Sequence, residues 1–257
     1  MDNCVNVLGV RISPLNLPSA VEAFRRAIAA RAKGYVCVTG VHGVSEAQEN
    51  PRFRTILNGA YLNTPDGMPM VWMGRLNGHR DMNRVYGPDL MLEISRVSEE
   101  TQWRHFYYGG APGVALQLAD SLRARFPKLH VVGTYTPPFR PLNDAEKEEL
   151  RTLVAQSKPD IIWVGLSTPK QETFMAEALP GLDTTLMVGV GAAFDLLSGR
   201  IKQAPRWIQR SGFEWLYRLY QEPRRLWKRY FKNNPLFVGR LFLQWTGLRR
   251  FPLDRAS

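Results

Sequence analysis

The chain has 257 residues, 44% apolar and 22% charged. These values exclude wholesale disorder and suit one large domain or a domain with an appendage. Lys and Arg number 34 against 23 Asp and Glu, a formal net charge of +11, which calls for an anionic partner such as nucleic acid, acidic lipid or a phosphorylated substrate.

In chain order, "CVNVLGVRI" reads as a short β-rich run. "LPSAVEAFRRAIAARAKG" follows with apolar residues at helical spacing and a glycine stop. "YVCVTG" has a buried-strand pattern, and "VHGVSEAQENPRFRTILNGA" reads as helix with a break near Pro51. "AYLNTPDG" predicts a strand and a turn, and "MPMVWMGRLNG" and "GPDLMLEISRVSEE" predict helices. Then "WRHFYYGG" (strand), "APGVALQLADSLRARFP" (helix), "HVVGTYTPP" (strand) and "NDAEKEELRTLVAQSKP" (helix with an acidic first turn) alternate. "DIIWVGLS" and "TTLMVGVG" are strands on either side of the helix "PKQETFMAEAL". Short continuous apolar runs alternating with longer periodic segments predict an α/β protein with a mostly parallel sheet.

From about Gly199 the composition changes to a segment dense in Arg, Lys, Trp, Tyr and Phe. Its apolar stretch from Leu236 to Leu248 is interrupted by Arg240 and falls short of the roughly 20 residues that span a bilayer. The segment either lies in a membrane interface or packs its aromatics on the core and solvates its basic face. The expected domains are therefore 1–198 and 199–257. Cys4 and Cys37 lie in strand-like runs and read as reduced core thiols. The four scattered histidines, with no CxxC or HExxH, give the expectation of no metal site and no cofactor. The first residues lack the basic-then-apolar layout of a signal peptide, which leads to the expectation of a cytoplasmic protein.

Ligands of parallel sheets bind beyond the carboxyl ends of the strands. "NTPDGMP" places Asp66 there, either as a turn residue or as a carboxylate presented to a substrate. "YYGGAPG" offers Gly109 and Gly110 before a helix, either as a plain turn or as a phosphate cradle. In "STPKQE", Thr168, Pro169 and Glu172 can cap a helix, with Gln171 and Lys170 pointing to one strand-end face. Thr39 and His42 stand in "TGVHG", and Arg84 precedes a Gly-Pro helix entry, as a phosphate ligand or a surface charge. "GVGAAFD" meets the dinucleotide fingerprint only in part: Phe194 holds its third position and no acid follows at the right distance.

Together "TPDGMPMVW", "RVYGPDL", "YYGGAPGVA", "VGLSTPKQE", "GVGAAFDLLSGRIKQAP" and "EWLYRLYQEPRRLWKRY", in this order, resemble the bacterial WecG/TagA/CpsF glycosyltransferases from about Thr39 to Tyr230. The resemblance implies a Rossmann-like α/β domain with a C-terminal helical, basic-aromatic appendage. It implies an inverting, metal-independent transferase peripheral to the inner face of the plasma membrane. The enzyme would move a sugar from a nucleotide donor, UDP in the first instance, onto a polyprenyl-diphosphate-linked acceptor. Asp66 matches the general base. Thr39 matches a threonine in the site, and Arg84, Gly109, Gly110 and Gln171 match positions around the nucleotide and diphosphate. Arg218 and Arg225 match appendage arginines that meet phosphates, and Lys228 stands where an arginine is usual.

One departure stands out. Members often read T-x-N after the threonine, whereas here Val41 holds that place and His42 follows, so any sugar contact of that asparagine is lost or moves to His42. The "TGVHG" form looks more like a glucosyltransferase of exopolysaccharide synthesis than an N-acetylmannosaminyltransferase. The chemistry is self-consistent: one carboxylate takes the acceptor proton while the hydroxyl displaces a nucleoside diphosphate, and arginines and helix N-termini stabilise the leaving group. The anionic partners expected are thus these two substrates and an acidic membrane surface. Nucleic acid is not expected, since no helix-turn-helix, RRM or finger signature is present. A homo-oligomer is compatible with the sequence.

Overall fold

The apolar runs and periodic segments become strands and helices in the order the pattern predicts. The structure, a computed structural model, describes residues 4–253 and, within them, every side chain but those of Arg210, Arg225 and Arg229. The elements are β1 (Val5–Val7), β2 (Val10–Ile12), α1 (Leu17–Ala29), β3 (Gly34–Thr39), α2 (Val41–Glu49), α3 (Pro51–Asn58), β4 (Leu62–Pro65) and α4 (Met68–Leu76). There follow α5 (Gly87–Thr101), β5 (Arg104–Gly109), α6 (Val114–Arg125), β6 (His130–Tyr135), α7 (Asp144–Ser157), β7 (Ile161–Gly165), α8 (Lys170–Ala178), β8 (Leu186–Gly189) and α9 (Ala193–Leu197). The C-terminal segment forms α10 (Arg206–Ser211), α11 (Glu214–Gln221) and α12 (Pro223–Trp245).

Six strands make one sheet in the order β4-β3-β8-β7-β5-β6, and the β3–β8, β8–β7, β7–β5 and β5–β6 pairs are parallel. This is the Rossmann-like α/β fold, with helices after the strands as crossover connections require. The chain divides into two compact units. The first holds the described parts of Met1–Asn16, Val38–Tyr86 and Gln203–Ser257; the second holds Leu17–Cys37 and Gly87–Lys202.

In the second unit the central strands are buried on both faces. Ile161, Ile162, Trp163, Val164, Leu186, Met187 and Val188 are all within 1% of full burial, which is why the sequence shows continuous apolar runs rather than alternation. A polar network crosses this core. Trp163 Nε1 donates to His105 Nδ1 at 2.9 Å, and the opposite ring nitrogen pairs with Ser98 Oγ at 2.8 Å. His105 Nδ1 must therefore be unprotonated, and burial holds its pKa down at about 3. Cys37 is a buried free thiol and Cys4 a half-buried one.

In the first unit the N-terminal β-rich run turns out to be two strands. β1 and β2 pair antiparallel around Leu8 and Gly9, whose φ values of 53° and 80° suit the tight two-residue hairpin. Asn50 caps α3 by accepting from Phe53 N at 3.0 Å, and Pro51 takes the first helical position, so the expected break falls between α2 and α3. α12 runs for 23 residues with Pro235 inside it, about 35 Å at 1.5 Å per residue. Its Gln244 closes on the hairpin, accepting from Leu8 N at 2.9 Å and donating to Asn6 O at 3.0 Å. Among the described residues no helix is long and apolar enough to cross a membrane.

Candidate functional site

The expected general base sits where β4 turns into α4. Asp66 N donates to Thr39 O at 3.0 Å, holding the loop to the end of β3. Gly67 follows at φ 86°, ψ 157°, a conformation essentially reserved for glycine. It is this residue that swings the chain from strand to helix and leaves the Asp66 side chain half-buried at the surface. Pro65 belongs to the strand itself, and its carbonyl accepts from Val85 N at 2.9 Å. Gly40, across from Asp66, is a close-approach glycine: a Cβ there would lie 3.0 Å from Asp66 O and 3.5 Å from its Oδ2.

Charges gather around that turn from α10 and α11. Arg84 Nη1 donates to Glu214 Oε2 at 2.6 Å, and Nη2 donates to Gln209 Oε1 at 2.7 Å. The guanidinium also lies 4.2 Å from the centre of the Tyr86 ring. Tyr86 is buried and hydrogen-bonded to Glu214; burial first, then the Glu214 and Asp66 charges, push its hydroxyl well above the ordinary tyrosine range, against Arg218. Arg218 feels burial, which acts to lower its pKa, but Tyr230, Tyr86, Glu214 and Asp66 outweigh it and hold the guanidinium firmly protonated. Asp66, Tyr86, Arg84, Arg218 and Glu214 thus form one electrostatic cluster in the first unit.

Thr39 and His42 belong to the same unit. Thr39 is 2% exposed, and its hydroxyl donates to Asn63 Oδ1 at 3.0 Å, so it ties β3 to β4. His42 Nδ1 pairs with Asn233 Nδ2 of α12 at 3.2 Å. Arg225 is one of the side chains outside the described residues. Tyr86, Gln209 and Glu214 were not singled out from sequence. A signal existed for Glu214, because it and Glu222 are the only acids between Gly199 and Phe251, and a carboxylate in so basic a segment invites a pairing.

In the second unit the glycine pair sits at the end of β5. Gly110 N donates to Gly165 O at 3.0 Å. A Cβ on Gly109, at φ 118°, would stand 2.7 Å from Gly165 O, and one on Gly110 2.9 Å from Val114 Cβ. These glycines let the ends of β5 and β7 touch and α6 start close by. Phe194 packs on Gly165 and meets Tyr107 edge-on at 6.1 Å; the position that a dinucleotide fingerprint would keep small is here a core aromatic. At α8 the sequence predicted a capping box, whereas no side chain caps this helix. Thr168 Oγ1 instead donates to Glu172 Oε1 at 2.8 Å. Gln171 is buried and Lys170 exposed; successive helical residues point about 100° apart, so the two do not share a face. Among the described residues no three His, Cys, Asp or Glu side chains cluster in a way that could hold a metal ion.

The model of the glycosyl transferase WecG/TagA/CpsF family matches residues 5–251. The chain belongs to this family. It is 32% identical over 184 residues, 72% of this chain and 69% of the relative, to the N-acetylglucosaminyldiphosphoundecaprenol N-acetyl-beta-D-mannosaminyltransferase of Bacillus spizizenii (strain ATCC 23059 / NRRL B-14472 / W23). The protein of the same name from Bacillus subtilis (strain 168) is 32% identical over 178 residues, 68% of this chain and 66% of the relative. The chain thus spans about two thirds of each relative's length.

Proposed function

We propose that this glycosyltransferase transfers N-acetylmannosamine from a uridine diphosphate donor to undecaprenyl-diphosphate-linked N-acetylglucosamine, with inversion and with Asp66 as general base. The observation that carries the reading is the Asp66 carboxylate, half-buried at a glycine-built strand end within electrostatic reach of Arg218. Asp66 takes the proton of the acceptor hydroxyl as its oxygen bonds to the anomeric carbon. The bond from that carbon to the diphosphate breaks, and its electron pair leaves with the nucleoside diphosphate. Arg218 stabilises the charge that develops there. In the second unit, Gln171 and the Gly109–Gly110 turn are proposed as contacts to the nucleotide. Arg84 acts by holding α10 and α11 against the Asp66 turn through Gln209 and Glu214.

The relatives favour a mannosaminyl donor over the glucosyl one suggested by "TGVHG", since both are named for N-acetylmannosamine transfer. The lipid-linked acceptor fits a surface on α10–α12 where Trp207, Tyr220, Phe231 and Trp245 are exposed beside exposed Arg224 and Lys228. Aromatics and cations in that mixture suit an anionic membrane interface, which supports the reading of a peripheral enzyme at the cytoplasmic face.

The test is a donor panel. Purified protein is given a short-chain polyprenyl-diphosphate N-acetylglucosamine and, separately, UDP-N-acetylmannosamine, UDP-N-acetylglucosamine and UDP-glucose, with products weighed by mass spectrometry. A disaccharide from the mannosaminyl donor alone is expected. Product from UDP-glucose alone would overturn the donor assignment, and no product from any donor would overturn the reaction.

A further inference from the structure

Glu172 is a second carboxyl, distinct from the general base and buried at the end of the sheet. It is 2% exposed, and its neighbour Gln171 is 3% exposed. One carboxyl oxygen is doubly bonded: Thr168 Oγ1 donates to Oε1 at 2.8 Å and Gln171 Nε2 donates to it at 3.0 Å. The other oxygen, Oε2, is buried without a hydrogen-bond partner among the described residues, and so is Gln171 Oε1. The Gln171 amide lies across two glycines at the end of β8. Its Nε2 is 3.0 Å from where a Cβ of Gly189 would be, and its Oε1 is 3.5 Å from that of Gly191.

Two buried acceptors left unsatisfied are costly. A proton on Glu172 Oε2 removes the charge there and makes that oxygen a donor, while Gln171 Oε1 stays an acceptor. The surroundings favour that proton. An ionisable group facing Glu172 is the buried Cys37 thiol, itself held protonated by burial. Burial raises the Glu172 pKa against the Thr168 and Gln171 bonds. An ionised carboxylate here would be a buried charge without a cation.

We propose that Glu172 works as a neutral carboxylic acid that positions Gln171, fixing Nε2 inward so that Oε1 is the group offered to the nucleotide-sugar donor. This rests on the reading of Gln171 as a donor ligand. Held this way, Gln171 accepts a hydrogen bond, so the group it recognises is an N–H or O–H. A uracil imide and a sugar hydroxyl both supply one.

The experiment compares wild type, Glu172→Gln and Glu172→Leu in the full chain. It measures UDP and UDP-N-acetylmannosamine binding by calorimetry, steady-state transfer, and the infrared carbonyl region at neutral pH. Gln is the isostere of the protonated acid, so E172Q keeps the donor KM within about threefold of wild type, whereas E172L raises it about tenfold, the equivalent of one misplaced hydrogen bond. The acceptor KM stays put in both. Wild type shows a carboxylic-acid band that E172Q lacks. Weaker binding of UDP itself by E172L identifies the imide as the partner; weakening only with the complete sugar nucleotide identifies the hydroxyl. The proposal is overturned if E172Q is as impaired as E172L, if E172L keeps the wild-type donor KM, or if the band is absent. If wild type neither binds UDP nor transfers sugar, the nucleotide-sugar reading fails instead, and the band still decides the state of Glu172.

Discussion

Replacing Glu214 by Ala tests how α11 is held to the Asp66 turn. The Arg84–Glu214 pair is 2.6 Å long, with side chains only 9% and 17% exposed. Removing one member of a buried ion pair costs about 3–5 kcal/mol, mostly because the other charge is stranded. Arg84 would keep its bonds to Gln209 Oε1 and to Gln209 O, and water can reach the Glu214 side. Both effects bring the expected loss down to about 2–3 kcal/mol. For a chain of this size that lowers the melting temperature by roughly 5–10 °C. Thermal melts of Glu214→Ala, Arg84→Ala and the double variant form a cycle, and a coupling of about 2 kcal/mol is expected. Additive losses, within about 0.5 kcal/mol, would show that the pair does not hold the two segments together. The same variant should lose transfer activity along with stability, because Arg218 sits on the helix that Glu214 begins.

Three further outcomes follow from the same geometry. His105 has a pKa of about 3 in the fold against 6.5 unperturbed, so between those values the unfolded chain binds the extra proton. Stability is whole above pH 6.5 and falls as pH drops, by at most about 1.4 kcal/mol per pH unit, levelling near pH 3. Denaturant melts at pH 7 and 5 should show a shallower drop in His105→Gln, and an unchanged drop would assign the acid sensitivity elsewhere. Gly67→Ala forces a side chain into φ 86°, ψ 157°, a cost of about 1–3 kcal/mol, read as a lower denaturant midpoint with reduced transfer; an unshifted midpoint would contradict the strained turn. Exchanging Trp207, Tyr220 and Phe231 for serine should weaken sedimentation with anionic liposomes, and added salt should weaken it for wild type as well, with exposed charges screened over about 10 Å at 0.1 M. Equal sedimentation of wild type and the triple variant would refute the interface.

The sheet was legible because its central strands are buried on both faces, so apolar runs such as "IIWVG" and "LMVG" carry the signal undiluted. The turn at Asp66 was legible because the glycine after it had to supply a backbone conformation that other residues avoid. The N-terminal hairpin was not, because its turn is made by Leu8 and Gly9, and a leucine at positive φ carries no turn signal. Glu172 read as a helix cap because "STPKQE" has capping spacing; only its burial shows it to be a core carboxyl. Thr39 and His42 looked like a pair at one strand end. The fold gives Thr39 to Asn63 and His42 to Asn233 on α12, a partner 191 positions away. The Arg84–Glu214 pair likewise joins residues 130 apart, a distance at which local pattern is silent.

The most direct test of the account is sugar transfer by Asp66→Asn beside wild type, with UDP-N-acetylmannosamine and a short-chain polyprenyl-diphosphate N-acetylglucosamine. The substitution keeps shape and removes the basic oxygen. Wild type should make the lipid-linked disaccharide, and the variant, with an unchanged melting temperature, should lose about 100-fold or more in kcat, the typical worth of a general base. A folded Asp66→Asn protein turning over at the wild-type rate would contradict the assignment of Asp66 as the base.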